Sequence, residues 1–359
     1  MGGFLPGLEQ GLLVRAALLD DDAAGRAWMM WREVRGARGL QNTEPATHHL
    51  LPMVAWRLDR LAHDGWQAAR LRGVHKKSYA RNALLWHRVR PAIARLVEAG
   101  VTPMWVGGSG LARRLYPDWG ARHLDRFDLM VRPEALGQAV AAIGADGTWQ
   151  PGARDPLRRA RTHELQSWHA SGDGGATGLE LVVRTRLTPW SPTPEAVWAR
   201  AEPFTVDGLA GVAPAPLDAI VAAAVDGLQW HEHALCEWVL DLGLAFRRWQ
   251  PDEGAILEAA KATRTTRLMH LALKELPGVG VPVSWDLIWN LDHAPRAAEE
   301  DRWARARTES PALELGTLWK TWRYLERGKG PIGFASYLRD RLELDDWRAV
   351  RAFTSSLVK

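Results

Sequence analysis

The sequence holds one cysteine, Cys236, in 359 residues, which excludes an internal disulfide and fits a reducing compartment or indifference to redox. Cys236 is expected as a small buried hydrophobe within a helix. No apolar run reaches the roughly 18 residues that a membrane-spanning helix needs. The stretch from Met1 to Asp20 lacks the basic region and long apolar core of a secretory signal, so the cytoplasm is the expected compartment. No run of basic residues is longer than a pair, and the net charge is only +4 from 46 basic and 42 acidic side chains. A pI of 9.4 permits nucleic-acid contact without arguing for it. Internal repeats and low-complexity tracts are also missing.

What remains is a chain of ordinary folded composition, 47% hydrophobic and 25% charged, long enough for two or three cores at roughly 150 residues each. Residues 8–100 read as helical. Leu85, Val89, Ile93 and Leu96 recur at helical spacing, Gly100 follows as a C-terminal cap, and Pro91 inside the pattern is a candidate kink. Asp20, Asp21 and Asp22 suit the first turn of a helix, where negative charge is favourable. From Pro216 a second helical region opens with Leu217, Ile220, Val221, Ala224, Val225 and Leu228 on one face. Further helices are expected at 234–247 and over 300–355, where Trp303, Trp319, Trp322 and Trp347 are interleaved with arginine. Twenty tryptophans spread along the chain read as inter-helix packing with arginines on ring faces, ahead of base stacking.

The chemistry concentrates in residues 103–131. A short strand, Pro103 to Val106, breaks at Gly107 and Gly108, and a helical pattern follows with Leu111, Leu115 and Tyr116. A strand, a glycine turn and a helix N-terminus present bare N–H groups and the positive end of the helix dipole together, which suits phosphate oxygens. The helix stops at Pro117, and a second strand runs from Phe127 to Val131. Alternation puts Phe127, Leu129 and Val131 on one face and Arg126, Asp128 and Met130 on the other.

Gly108, Leu115-Tyr116-Pro117, Arg122 and Asp128-Leu129-Met130-Val131 resemble the motif series of the uncharacterised bacterial nucleotidyltransferases of the DNA-polymerase-β-like superfamily. Gly178-Leu179-Glu180-Leu181-Val182-Val183 is similar to the later strand of that family, with Glu180 as its carboxylate, and Trp238 and Asp241 match a helical Trp-Leu-x-Asp pattern. The resemblance covers roughly residues 70–285. It implies an α+β fold, a small mixed β-sheet nucleotidyltransferase core at 101–190 flanked by helical regions at 1–100 and 191–359. It also implies a nucleoside triphosphate as partner, with Gly107, Gly108, Ser109, Arg122 and Arg126 at the nucleotide and Asp128, Glu180 and Asp125 in catalytic positions. Mg2+ would be held by Asp128 and Glu180, one ion rather than two.

Two departures bear on activity. The family's first catalytic Asp falls on Arg126, and the Lys before its glycine falls on Gly107. The carboxylate triad thereby goes from a formal charge of −3 to −1, and arginine, a donor only, cannot ligate a metal. Asp125 substitutes for the missing carboxylate only if a bulge or loop turns it inward with Asp128. Two functions follow. One is transfer of a nucleotidyl group from a nucleoside triphosphate to an unidentified acceptor, a peptide or protein among the classes considered. The other is a catalytically inactive relative, a pseudoenzyme that binds a nucleotide, peptide or partner protein, with Arg126 standing where metal charge once was.

Other groupings carry less. Residues 145–178 read as a connector rich in arginine, with Arg154, Arg158, Arg159 and Arg161 as alternative phosphate ligands. His163 and His169 are spaced too widely for a zincin helix, and His231 and His233 point apart on a helix. Asp241 is read first as a structural partner of a nearby arginine.

Overall fold

The acidic triplet sits where helix electrostatics favours it. In the structure, a computed structural model that describes residues 6–40, 43–61, 65, 67–151, 166–170, 180–188, 194–228 and 236–295, Asp20 is the N-cap of a helix whose first turn carries Asp21 and Asp22. That helix, α2 (Asp21–Arg35), follows α1 (Leu8–Leu18) and precedes α3 (Pro45–Arg60) and the long α4 (Ala68–Glu98). α4 buries Leu85, Val89, Ile93 and Leu96, as their spacing requires, and stays helical through Pro91. It closes at Gly100, φ +77°, where the N–H groups of Gly100 and Val101 donate to the carbonyls of Val97 and Leu96, each at 2.9 Å. This pair of bonds is a Schellman close, which needs a left-handed residue that glycine supplies without steric cost.

The sheet is built from β1 (Met104–Trp105), β2 (Arg126–Met130), β3 (Trp149–Pro151), β4 (Gln166–Ala170), β5 (Glu180–Arg184), β6 (Glu202–Val206) and β7 (Leu209–Ala213). α5 (Gly107–Leu115) joins β1 to the approach to β2, α6 (Leu136–Gly144) leads to β3, and α7 (Pro194–Arg200) precedes β6. Strand order is β3-β4-β5-β2-β1-β7-β6, with β2 parallel to β5, β1 parallel to β7 and the other neighbours antiparallel. The fold is α+β, as expected, with a mixed sheet.

The sheet is larger than 101–190. β6 and β7 lie beyond 190, joined by Asp207 and Gly208, both at positive φ, a two-residue hairpin turn of the kind that matches strand twist. Within 145–178, β3 and β4 continue the sheet where a connector is expected. Arg154, Arg158, Arg159, Arg161, His163, His231, His233 and the tryptophans beyond 300 lie outside the described residues.

After the sheet come α8 (Pro216–Gly227), α9 (Glu237–Trp249), α10 (Glu253–Ala262), α11 (Thr266–Leu273) and α12 (Trp285–His293). These share one apolar core with α1, α2 and α3, so helices from before and after the sheet pack together. A second core lies between α4, α6 and the sheet face that carries Phe127, Leu129, Val131, Leu181 and Val183. Trp28, Trp31, Trp105 and Trp149 are fully buried, and Arg113 stacks 3.8 Å from the Trp119 ring centre, consistent with tryptophan as packing material. Among the described residues no helix is long and apolar enough to cross a membrane.

Candidate functional site

β2 and β5 run parallel in register, with Arg126 beside Glu180, Asp128 beside Val182 and Met130 beside Arg184. Paired residues share a face, so Arg126, Asp128, Glu180 and Arg184 project together from the side opposite the Phe127, Leu129 and Val131 core. The expected alternation is observed. It delivers two carboxylates and two guanidinium groups to one patch.

Asp128 is almost wholly buried and is held by both cations. Arg184 Nη2 donates to its Oδ1 at 3.0 Å, and Arg126 Nε lies 3.2 Å from Oδ1 and 3.3 Å from Oδ2. Burial alone would raise the Asp128 carboxyl, but Arg126 and Arg184 outweigh it and hold the group below its ordinary range. Arg184 also donates to Asp226 Oδ2 at 2.9 Å and to the Leu187 carbonyl at 3.3 Å. Burial disfavours its charge, while Asp226 and Asp128 together raise its pKa.

α5 starts directly at Gly107, with Val106 as N-cap, so the two glycines form the helix start rather than a separate turn. Gly107 has φ +59°, and a Cβ there would stand 2.9 Å from Asp128 Cγ. A Cβ on Gly108 would meet Arg122 Nη1 at 2.3 Å. The two missing side chains let the helix end approach the carboxylate and let an arginine lie across it. The Ser109 hydroxyl is engaged within the fold: buried, it accepts from the Asp128 N–H at 3.0 Å and lies 3.1 Å from the carbonyls of Val106 and Asp128. It ties α5 to β2.

Arg122 is fixed in a fork. Nε and Nη2 donate to Asp241 Oδ1 and Oδ2 at 2.9 and 2.8 Å, and Tyr116 donates its hydroxyl to Asp241 Oδ1 at 2.6 Å. Asp241 is thus the structural partner of an arginine, as its sequence reading favours.

The loop before β2 is pinned by α4. Asn82, fully buried, donates to the carbonyls of Trp119 and Arg122 at 2.5 and 2.7 Å and accepts from the Leu124 N–H at 3.2 Å. Arg81 Nε donates to the Leu124 carbonyl at 3.0 Å. Asp125 leaves this loop towards two histidines: His123 Nε2 is 3.1 Å and His49 Nδ1 3.8 Å from its carboxylate. No contact joins Asp125 to Asp128 among those of the described residues, although both line one cavity. Asp125 precedes the first residue of β2 and lies beside His49, His123 and Arg81. Burial pushes its pKa up, but the His123 hydrogen bond, with His49 and Arg81 nearby, brings it down further than burial raises it. Behind His49, Glu237 Oε1 lies 2.9 Å from Nδ1. Burial opposes the His49 charge; Glu237 and Asp125 overcome it and raise the pKa.

These groups surround a cavity of about 230 Å3, lined by Gly107, Gly108, Arg122, Asp125, Arg126, Asp128, Glu180, Asp226, Glu237 and Asp241 among others. Of the expected site residues, all line it but Ser109. The magnesium implied by the resemblance does not fit the donors at its floor. Asp128 is engaged by two guanidinium groups, and a divalent cation at Asp128 and Glu180 would face both. Arg184, Asp226, Glu237, His49 and His123 are the members that sequence reading misses. Only Arg184 had a legible signal, since it stands four residues after Glu180 on the same strand face. Cys236 is buried as expected, but at the N-cap of α9 and not inside a helix.

Residues 45–275 match the model of the family described as uncharacterised nucleotidyltransferase. No curated protein and no solved structure matches the chain.

Proposed function

The chain belongs to this nucleotidyltransferase family, and from that premise we propose that its cavity binds a nucleoside triphosphate whose phosphates are held by the start of α5 and by Arg126. The observation that carries this reading is the guanidinium of Arg126, which lines the cavity in contact with Asp128. Nε makes that contact, and 31% of the side chain stays exposed to the cavity side of the sheet. The helix start adds backbone N–H groups at Gly107 and Gly108, beside the Arg122 guanidinium, and both favour an anion. An arginine supplies attraction for phosphate but no hydroxyl activation.

Nucleotidyl transfer to an unidentified acceptor, a peptide or protein among the classes considered, is the second reading. Family membership supports it, as does the presence of Glu180 and Asp226 in the same cavity as Asp128.

Calorimetric titration of the protein with each nucleoside triphosphate, with and without magnesium, separates the two. Binding that is indifferent to magnesium and at least tenfold weaker in Arg126→Ala supports the first. Binding that requires magnesium, or transfer that appears or rises in Arg126→Asp, supports the second. Absence of binding for every nucleotide removes both.

A further inference from the structure

We propose that His49, His123 and Asp125 form a binding site for one divalent transition-metal ion, of the zinc, cobalt or nickel class, at the rim of the cavity. The site is distinct from the Asp128 and Glu180 position and does not depend on the nucleotide reading.

The geometry comes first. One ligand atom from each of the three residues lies within 4.8 Å of the others. One of these spacings is 3.1 Å, from His123 Nε2 to Asp125 Oδ1. Ligand atoms around a tetrahedral zinc ion stand about 3.3 Å apart, from bond lengths near 2.0–2.2 Å. Side-chain adjustment of an ångström or so closes the set. Two imidazoles and a carboxylate are the donors that borderline metals select, whereas magnesium prefers oxygen alone.

The site is also preorganised. His123 and Asp125 sit on the loop that Asn82 and Arg81 clamp from α4, and His49 comes from α3, so two separate parts of the chain converge. The imidazole rings lie with centres 4.2 Å apart. Glu237, buried on α9, hydrogen-bonds His49 Nδ1 at 2.9 Å and fixes the orientation of the ring. Asp125 is half exposed, which leaves a path for the ion.

Electrostatics agrees. Asp125 and Glu237 bring two negative charges to the two imidazoles, against Arg81 at 3.5 Å from Asp125 and Arg122 beside His123 and His49. Three protein ligands leave a fourth position of a tetrahedral ion open. Since His123, Asp125 and Glu237 all line the cavity, that position has access to it. A water or a ligand oxygen there would be bound next to the space assigned to the nucleotide.

The test uses the full chain and the metal alone. Titration with Zn2+ by calorimetry, and with Co2+ followed by its visible absorption, should give one ion per chain. His123→Gln and Asp125→Asn should each weaken binding at least tenfold, and His48→Gln, beside the site but outside the set, should leave it unchanged. Asp125→Asn is the decisive variant because its half-exposed side chain can be altered without disturbing packing. Circular dichroism confirms that each variant is folded. Absence of saturable binding to the folded wild type overturns the proposal, and so does one-ion binding that both folded variants retain at full strength.

Discussion

Arg184 and Asp128 face each other at 3.0 Å with about 4% of each side chain exposed, one strand apart in a parallel pair. Their burial makes each necessary to the other. Removing one partner of a buried ion pair typically costs about 3–5 kcal/mol. Arg184→Met is therefore expected to lower stability towards the lower end of that range in urea unfolding, since Asp226 and Asp128 each lose a partner while Arg126 still holds Asp128. A loss under about 1 kcal/mol would mean that water reaches Asp128 and screens the pair.

Acid should expose the same coupling. Asp128 has a folded-state pKa below its unfolded value of about 3.9, so it contributes stability above that pH and loses it as pH falls through the folded value. In Arg126→Leu one of the two cations that depress it is gone, and the folded pKa moves up towards the unfolded one. The acid limb of the stability curve should then become shallower in that variant, because less of its stability depends on Asp128 ionisation. Urea midpoints between pH 2.5 and 6 measure this; an acid limb of unchanged slope would remove Arg126 as a cause of the depression.

Gly107→Ala is expected to be more harmful than Gly108→Ala for stability. Position 107 has φ +59°, which costs a residue with a Cβ about 1–2 kcal/mol, and the new atom meets Asp128 at 2.9 Å. At position 108 the obstacle is the Arg122 guanidinium, held by Asp241. Displacing it should weaken nucleotide binding more than it lowers the melting temperature. Thermal melts and calorimetry on the two variants give the comparison; equal melting temperatures would refute the role of the left-handed conformation.

Tyr116→Phe removes a buried hydroxyl that donates to Asp241 at 2.6 Å. Hydrogen bonds to a charged group contribute about 1.5–3 kcal/mol, so a loss in that range is expected in chemical unfolding. The Arg122 fork keeps Asp241 paired, and the variant should still fold.

Cys236 gives a check that needs no mutation. Burial, with help from nearby acids, pushes its thiol up to about 12. Iodoacetamide at pH 8 should leave the native protein unmodified and label it rapidly in urea, because the thiolate is the reactive species. Labelling of the native chain at the rate of a small thiol would show that the α9 end opens readily.

Several parts of this molecule were decided by local sequence. The α4 stripe and its glycine close, the acidic start of α2, the strand–helix step at Gly107 and the face alternation of β2 all follow from periods and backbone preferences acting over a few residues. Motif resemblance reached further and located Asp128 and Glu180 on one patch. The Asp207-Gly208 hairpin was legible in principle, yet its strands gain their sheet neighbour from β1, more than a hundred residues earlier.

Tertiary structure alone decided which charges neutralise which. Nothing in the spacing of 126, 128 and 184 says that one carboxylate is enclosed by two arginines, since that depends on β5 docking parallel to β2. Nor does local pattern place Asp125 beside His49, whose helix is brought there by packing among α1, α3 and α9. Sequence fixes short-range geometry because steric and hydrogen-bond preferences are local. Ionic partnerships depend on distance and burial, and both exist only once distant segments have met.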